Sequence, residues 1–226
     1  MAILFDLDGT LLDTSHDLHN AINQVLQLEN KPPVSYEKIR NRISFGSRHM
    51  LAAALDLDLY GNVDHIAYAD KLLPIFLDYY AKTQFKHTVA FAGINDLLSS
   101  LEAMNITWGI VTNKSKALTE PLLKYIGYSE RSACIVCGDT AAKAKPAPDP
   151  LFYACNLLKV NPTECVYVGD AITDIQAGKA AGMRTMAAAF GFIPDNVVVT
   201  DWQADVIVNN PDEIFPWIQK WSKRIL

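Results

Sequence analysis

The stretch Met1-Ala2-Ile3-Leu4-Phe5-Asp6-Leu7-Asp8-Gly9-Thr10-Leu11-Leu12-Asp13-Thr14 begins apolar and then changes character within a few residues. The run Ile3–Leu7 reads as a strand buried on both faces, the signature of a parallel sheet covered by helices. Residues two apart on a strand point the same way, so Asp6 and Asp8 are placed on one side near its carboxyl end. In an open parallel sheet, ligands bind beyond those ends. Two acids there repel each other unless a cation sits between or beside them. Gly9 permits a tight turn that brings backbone near a ligand. Asp-Gly is also ordinary turn chemistry, but that explains one aspartate and not two flanking a core leucine.

Five similar runs follow: Ile106–Val111, Cys134–Cys137, Cys165–Val168, Thr185–Ala189 and Val206–Val208. Helical patterns separate them. Leu97, Leu98, Leu101 and Met104 share one helix face, and so do Leu151, Ala154, Cys155 and Leu158. Asp149-Pro150 predicts an N-cap followed by proline at the first helical position. Gly127 and Gly182 stand where helices should end. The alternation predicts an α/β fold, a doubly wound, Rossmann-like parallel sheet.

One stretch breaks the alternation. From Thr14 to about Lys82 the pattern is helical throughout. Thr14 with Asp17 reads as a capping pair ahead of the apolar stripe Leu18, Ile22, Val25 and Leu26. Lys31-Pro32-Pro33 stops that helix, and Ser35 caps the next, which carries Ile39 and Ile43. A third helix is expected over Arg48–Leu55. A fourth includes Ile66, Ala69, Leu73, Phe76, Leu77 and Tyr80, with Pro74 inside it. That proline should kink or split the helix, at about 3 kcal/mol in an unbroken one. The expected organisation is a core of residues 1–14 and 83–226 with an inserted all-helical domain over 15–82. The connections fall near Leu12–Ser15 and Lys82–Phe91.

Composition narrows the function classes. The chain has 226 residues, half of them apolar and one-fifth charged, with 20 basic against 25 acidic side chains and a net charge of −5. That apolar fraction excludes disorder, and the missing basic excess disfavours nucleic acid as a partner. No apolar run approaches the length of a membrane span. With no leader-like segment before the first strand, a cytoplasmic location is expected. The four cysteines make no disulfide framework, and Cys134 and Cys137 read as small buried hydrophobes of a strand. His16 and His19 lack the partners of a metal site and read as solvated. Trp202, Trp217 and Trp221 pack the C-terminal segment.

Polar clusters stand just past three of the later strands: Val111-Thr112-Asn113-Lys114, Lys143-Ala144-Lys145-Pro146, and Val168-Gly169-Asp170-Ala171-Ile172-Thr173-Asp174. Each alone is ordinary cap or turn chemistry. Their convergence with Asp6 and Asp8 on one edge of one sheet predicts a single site.

The run Asp6-Leu7-Asp8-Gly9-Thr10-Leu11-Leu12-Asp13-Thr14 resembles the signature of the haloacid dehalogenase-like superfamily. The order Asp6-x-Asp8, Thr112, Lys145 and Gly169-Asp170-x-x-x-Asp174 is similar to its four motifs across nearly the whole chain. The helical insertion resembles the family's first type of cap domain. Trp108-Gly109-Ile110-Val111-Thr112-Asn113-Lys114 and Lys145-Pro146-Ala147-Pro148-Asp149-Pro150-Leu151 resemble bacterial phosphoglycolate phosphatases. Ile39 to Met50, in contrast, is similar to their relatives acting on N-acetylmuramic acid 6-phosphate.

The resemblance implies a Mg²⁺-dependent phosphatase that hydrolyses a small phosphate monoester through an aspartyl-phosphate. Asp6 would be the nucleophile and Asp8 the acid–base. Metal ligands would be Asp6, the backbone carbonyl of Asp8, and Asp170, with Asp174 orienting them. Lys145, placed directly before Pro146, takes the cationic role over Lys143. Thr112 would donate to a phosphoryl oxygen, with Asn113 and Lys114 as helpers and the backbone N–H groups around Leu7, Asp8 and Asn113 completing the cradle. In the cap, Gly46 and Arg48 are the substrate candidates, Arg48 pairing with a substrate carboxylate. The expected partner is a small molecule, without nucleic acid or membrane, and the expected state a monomer or homodimer. A phosphosugar mutase shares all four motifs. A dehalogenase would not need Asp8, and a phosphonatase would need a lysine that Ser15–Asn30 lacks. A catalytically dead binding homologue would have no reason to retain Asp6, Asp8 and Asp170 together.

Overall fold

In a computed structural model, residues 1–222 are described; residues 223–226 of the expected core range lie outside them. The strands are β1 (Ala2–Phe5), β2 (Leu12–Asp13), β3 (Val89–Ala90), β4 (Thr107–Val111), β5 (Ile135–Val136), β6 (Cys165–Gly169), β7 (Arg184–Ala188) and β8 (Val206–Val208). Six of them form one sheet in the order β5-β4-β1-β6-β7-β8, every neighbouring pair parallel. The order reverses direction between β1 and β6, which is the topological switch where a doubly wound sheet opens a crevice. β2 and β3 form a separate antiparallel ribbon, Leu12 opposite Ala90, within the two connections. Each is two residues long, too short for a periodic signal.

The helices are α1 (Ser15–Leu28), α2 (Tyr36–Arg40), α3 (Ser47–Leu55), α4 (Val63–Thr83), α5 (Ile94–Ala103), α6 (Lys116–Ile126), α7 (Asp149–Leu158), α8 (Ile172–Ala180) and α9 (Ile214–Ser222). Ala2 and Leu4 of β1 join Cys165 and Tyr167 of β6 in a core closed by Leu151, Ala154 and Cys155 of α7 and by Ala177 of α8. Ile3 and Phe5 face the other side by strand alternation, where α5 packs on β4 and α9 packs on α5. All four cysteines are buried and free.

The chain divides into two compact units. One comprises Met1–Asp13, Val89–Ile193 and the stretch from Val197 on; the other comprises Thr14–Thr88 with Pro194–Asn196. In the second unit, α1 packs against α2, α3 and α4. The stripe Leu18, Ile22, Val25 and Leu26 is buried, as are Met50 and Leu51 of α3 and Ala69, Leu72, Phe76 and Tyr80 of α4.

Several local expectations are corrected. The first strand stops at Phe5, not Leu7, because the Leu7 carbonyl accepts from the backbone N–H groups of Thr10, Leu11 and Leu12 (3.3, 3.0 and 3.0 Å) and closes a turn. Thr14 makes no side-chain cap, and its Oγ1 is buried without a partner. Asp17 turns away from the helix end and accepts from His87 N (3.0 Å), Thr88 N (2.9 Å) and Thr88 Oγ1 (2.9 Å). Pro74 does not split α4, whose buried residues lie on both sides of it; their packing offsets the lost hydrogen bond. α7 starts one residue early, with Pro148 in the cap position and Asp149 already helical. His19 is not solvated: its Nε2 lies 2.8 Å from Val34 O and 2.9 Å from Asn23 Nδ2. Ser35 does cap α2, accepting from Lys38 N.

Candidate active site

Asp6 follows β1 by one residue, and its backbone N–H continues the ladder to Val168 O at 2.9 Å. Asp8 is beyond the strand, so the shared-side argument does not place it; the Leu7 turn does. The two carboxylates part company. Asp6 Oδ1 accepts from Lys145 Nζ at 2.8 Å, and Asp8 Oδ1 accepts from Lys114 Nζ at 2.8 Å. Thr112 and Lys114 lie just past β4, and the Thr112 hydroxyl oxygen accepts from the Lys114 N–H at 3.2 Å.

Lys145 is buried, whereas Lys143 is exposed. The Lys145 ammonium lies 2.8 Å from Asp6 Oδ1, 2.7 Å from Asp174 Oδ1, 2.7 Å from Tyr167 Oη and 3.2 Å from Val111 O. Its backbone is held as well. The Asn113 amide donates to Lys145 O and accepts from Lys145 N, both at 3.0 Å. The side chain of Asn113, expected to help bind phosphate, is thus engaged with Lys145. The other carboxylate oxygen of Asp174 accepts from Ala171 N at 2.9 Å.

Asp170 follows β6 across the switch from Asp6. Its carboxylate accepts from Thr10 Oγ1 (3.2 Å) and Phe192 N (2.8 Å). Two glycines make room for it. A Cβ on Gly9, whose φ is +89°, would stand 2.0 Å from Asp170 Oδ2, and one on Gly191 would stand 2.3 Å from Asp170 Cβ.

Asp6, Asp170 and Asp174 each present a carboxylate oxygen within 4.8 Å of the others. Three buried carboxylates therefore face one buried ammonium, a deficit of two positive charges. Burial raises the Asp6 carboxyl to about 6, with Lys145 opposing the rise and Asp174 adding to it. Burial, then Asp6 and Asp174, push Asp170 well above the usual carboxylate range. For Lys145, burial works downward but is outweighed by Asp174 and Asp6, which hold it above an ordinary lysine. Burial and the same two carboxylates hold the Tyr167 phenol well above its usual value, so it keeps its proton. Hard oxygen donors at this spacing and a matching charge deficit suit a divalent cation such as Mg²⁺.

Gly46 and Arg48 belong to the helical unit. Gly46 has φ +91° and precedes α3; Arg48 pairs with Asp70 of α4 at 2.6 Å. Tyr167 was missed in the sequence, although a phenol inside Cys165-Val166-Tyr167-Val168-Gly169 is a signal: a buried hydroxyl requires a partner.

A profile of the haloacid dehalogenase-like hydrolases matches residues 3–188. The chain belongs to this family. It is 37% identical over 213 residues to an N-acetylmuramic acid 6-phosphate phosphatase of Pseudomonas aeruginosa, covering 94% of this chain and 92% of that one. It is 39% identical over 214 residues to a phosphoglycolate phosphatase of Xanthomonas campestris, covering 95% and 94%. A crystal structure of a predicted phosphoglycolate phosphatase from Haemophilus somnus superposes with a TM-score of 0.83 at 25% identity, covering 96% of this chain and 97% of that one. The six-stranded parallel sheet is the Rossmann-like fold expected from that resemblance. No helix among the described residues is long and apolar enough to cross a membrane.

Proposed function

We propose that this haloacid dehalogenase-like phosphatase hydrolyses a small phosphate monoester, with Mg²⁺, by way of a phosphoryl group carried on Asp6. The observation that carries the reading is the buried Lys145 ammonium set between Asp6 and Asp174 (2.8 and 2.7 Å) beside Asp170. A carboxylate attacking a phosphate dianion meets like charge, about 4 kcal/mol per unit pair at ~4 Å and an effective dielectric of ~20. Lys145 offsets part of this at the attacking carboxylate itself. The Asp6 and Asp170 carboxylates and the Asp8 backbone carbonyl would hold Mg²⁺, with Asp174 orienting the set. When bound, the ion supplies the remaining positive charge at the phosphate.

Asp6 attacks phosphorus as the bond to the ester oxygen breaks, and Asp8, entering this step protonated, gives that oxygen its proton and becomes the carboxylate that pairs with Lys114. Asp8 then takes a proton from water, whose oxygen displaces the Asp6 carboxylate and frees phosphate. Lys114 holds the Asp8 carboxylate in place. Thr112, whose oxygen accepts from Lys114 N, retains its proton to give to a phosphoryl oxygen. The backbone N–H groups around Leu7, Asp8 and Asn113 complete the cradle.

The favoured substrate is 2-phosphoglycolate. N-acetylmuramic acid 6-phosphate is the second reading, supported by the Pseudomonas relative. Both carry a carboxylate, for which Arg48 would exchange its Asp70 partner. A phosphate-release screen with and without Mg²⁺, including both esters and a sugar phosphate analysed for isomerisation, tests the assignment. Mg²⁺-dependent release from wild type and none from Asp6→Asn is expected. Full turnover by Asp6→Asn, or an isomerised sugar in place of free phosphate, overturns it.

A further inference from the structure

We propose that Tyr167 is a positioning residue that aims the Lys145 ammonium at Asp6. The inference rests on the phosphatase reading above and adds a residue outside the motifs.

Lysine donates three hydrogen bonds and accepts none, while a phenol donates one and accepts two. The 2.7 Å contact between Lys145 Nζ and Tyr167 Oη is therefore a lysine N–H given to the phenol oxygen. The single phenol proton is then directed elsewhere, and its shortest contact is Val111 O at 2.8 Å, ahead of Asp174 Oδ1 at 3.2 Å. Val111 O is also a backbone acceptor within reach of the ammonium, at 3.2 Å. Tyr167 thus holds the ammonium by taking one lysine N–H itself, and its own proton goes to the Val111 carbonyl, whose two lone pairs let it accept from both groups. The two remaining N–H groups go to Asp6 and Asp174.

The anchor is rigid. Tyr167 lies in β6, opposite Leu4 of β1 and Thr185 of β7. Its ring is fully buried in the core under α7 and α8. Lys145 itself sits outside any regular element, between β5 and α7. Asn113 fixes its backbone from one side, and the Tyr167 hydroxyl fixes the far end of its side chain from another.

The test compares wild type, Tyr167→Phe, Lys145→Ala and the double variant on p-nitrophenyl phosphate with Mg²⁺. A crystal structure of Tyr167→Phe accompanies the kinetics. Tyr167→Phe should lower kcat about 10-fold with KM within twofold, as expected for a group misplaced at the reacting centre. Its Lys145 Nζ should leave Asp6 by more than 3.5 Å in at least one conformer, on the ordinary hydrogen-bond limit. The double variant should be no slower than Lys145→Ala alone, because the tyrosine acts only through the lysine. The proposal is overturned by kcat within twofold of wild type, by a lysine that stays in place even though kcat falls, or by a double variant slower than Lys145→Ala. If Lys145→Ala itself keeps wild-type turnover, the phosphatase assignment of Lys145 is what has failed. Should Tyr167→Phe not fold, Tyr167→Met tests the same loss of hydroxyl with a more adaptable side chain.

Discussion

Gly9→Ala isolates how closely the backbone must approach Asp170. At φ +89° an L-residue is strained by about 1–2 kcal/mol. The new Cβ would also lie 2.0 Å from Asp170 Oδ2 and 2.5 Å from its Cγ. Carbon and carboxylate oxygen do not approach much closer than 3 Å, so Asp170 must retreat by roughly 1 Å, a shift of the size that costs about 10²-fold in rate at a reacting centre. The retreat stretches its 2.8 Å bond from Phe192 N, a charge-assisted bond of about 1.5–3 kcal/mol. Together these give about 2.5–5 kcal/mol of lost stability. At about 2–4 °C per kcal/mol for a chain of this size, the melting temperature should fall by about 5–20 °C. The assays are thermal melts and the Mg²⁺ dependence of p-nitrophenyl phosphate hydrolysis. A variant that melts within 2 °C of wild type and reaches half-maximal rate at the same Mg²⁺ concentration refutes the reasoning.

Lys145→Ala should lower kcat by about 10²–10³-fold, in line with loss of a preorganised charge-stabilising donor, while exposed Lys143→Ala stays within twofold; steady-state rates with Mg²⁺ check both. Asp17→Ala removes the acceptor of two backbone N–H groups and one hydroxyl in a fully buried place. It should cost about 2–4 kcal/mol in urea unfolding, the range for breaking a buried hydrogen-bonded network. Without metal, the raised Asp6 and Asp170 values make the folded state bind more protons than the unfolded chain. Their contribution to stability is full below the ordinary carboxylate value of 3.8 and, for Asp6, is lost as pH rises through about 6. Mg²⁺, which favours the ionised carboxylates, should therefore raise the melting temperature more at pH 7.5 than at pH 5. Equal increments at the two pH values contradict this.

The sheet was legible because a strand buried on both faces leaves an uninterrupted apolar run. Ile106–Val111 and Cys165–Val168 match β4 and β6 to within a residue at each end. End chemistry was read less well. Thr14 and Asp17 have the residue types and spacing of a capping pair, but the tertiary pull of the His87 and Thr88 amides took Asp17 away from the helix start. Pro74 is a helix breaker by local rules and was overridden by apolar contacts on both sides of it. Asp6, Thr112 and Asp170 were located by type and spacing directly past strand ends. The direction of each side chain was not, so that Asp8 meets Lys114 and Asn113 meets Lys145. Tyr167 escaped because its ring satisfies the apolar pattern of the strand while its hydroxyl answers to a loop remote in sequence.

The placement of β1 at the middle of the sheet bears on biosynthesis. Ala2 is registered against Thr107 on one side and Cys165 on the other. At about 5–20 residues per second on the ribosome, its second neighbour emerges on the order of ten to thirty seconds after it. Both edges of this apolar ribbon are open until β4 emerges, and one stays open until β6 does, so chaperone supply rather than equilibrium stability should limit the yield of this protein when it is made fast.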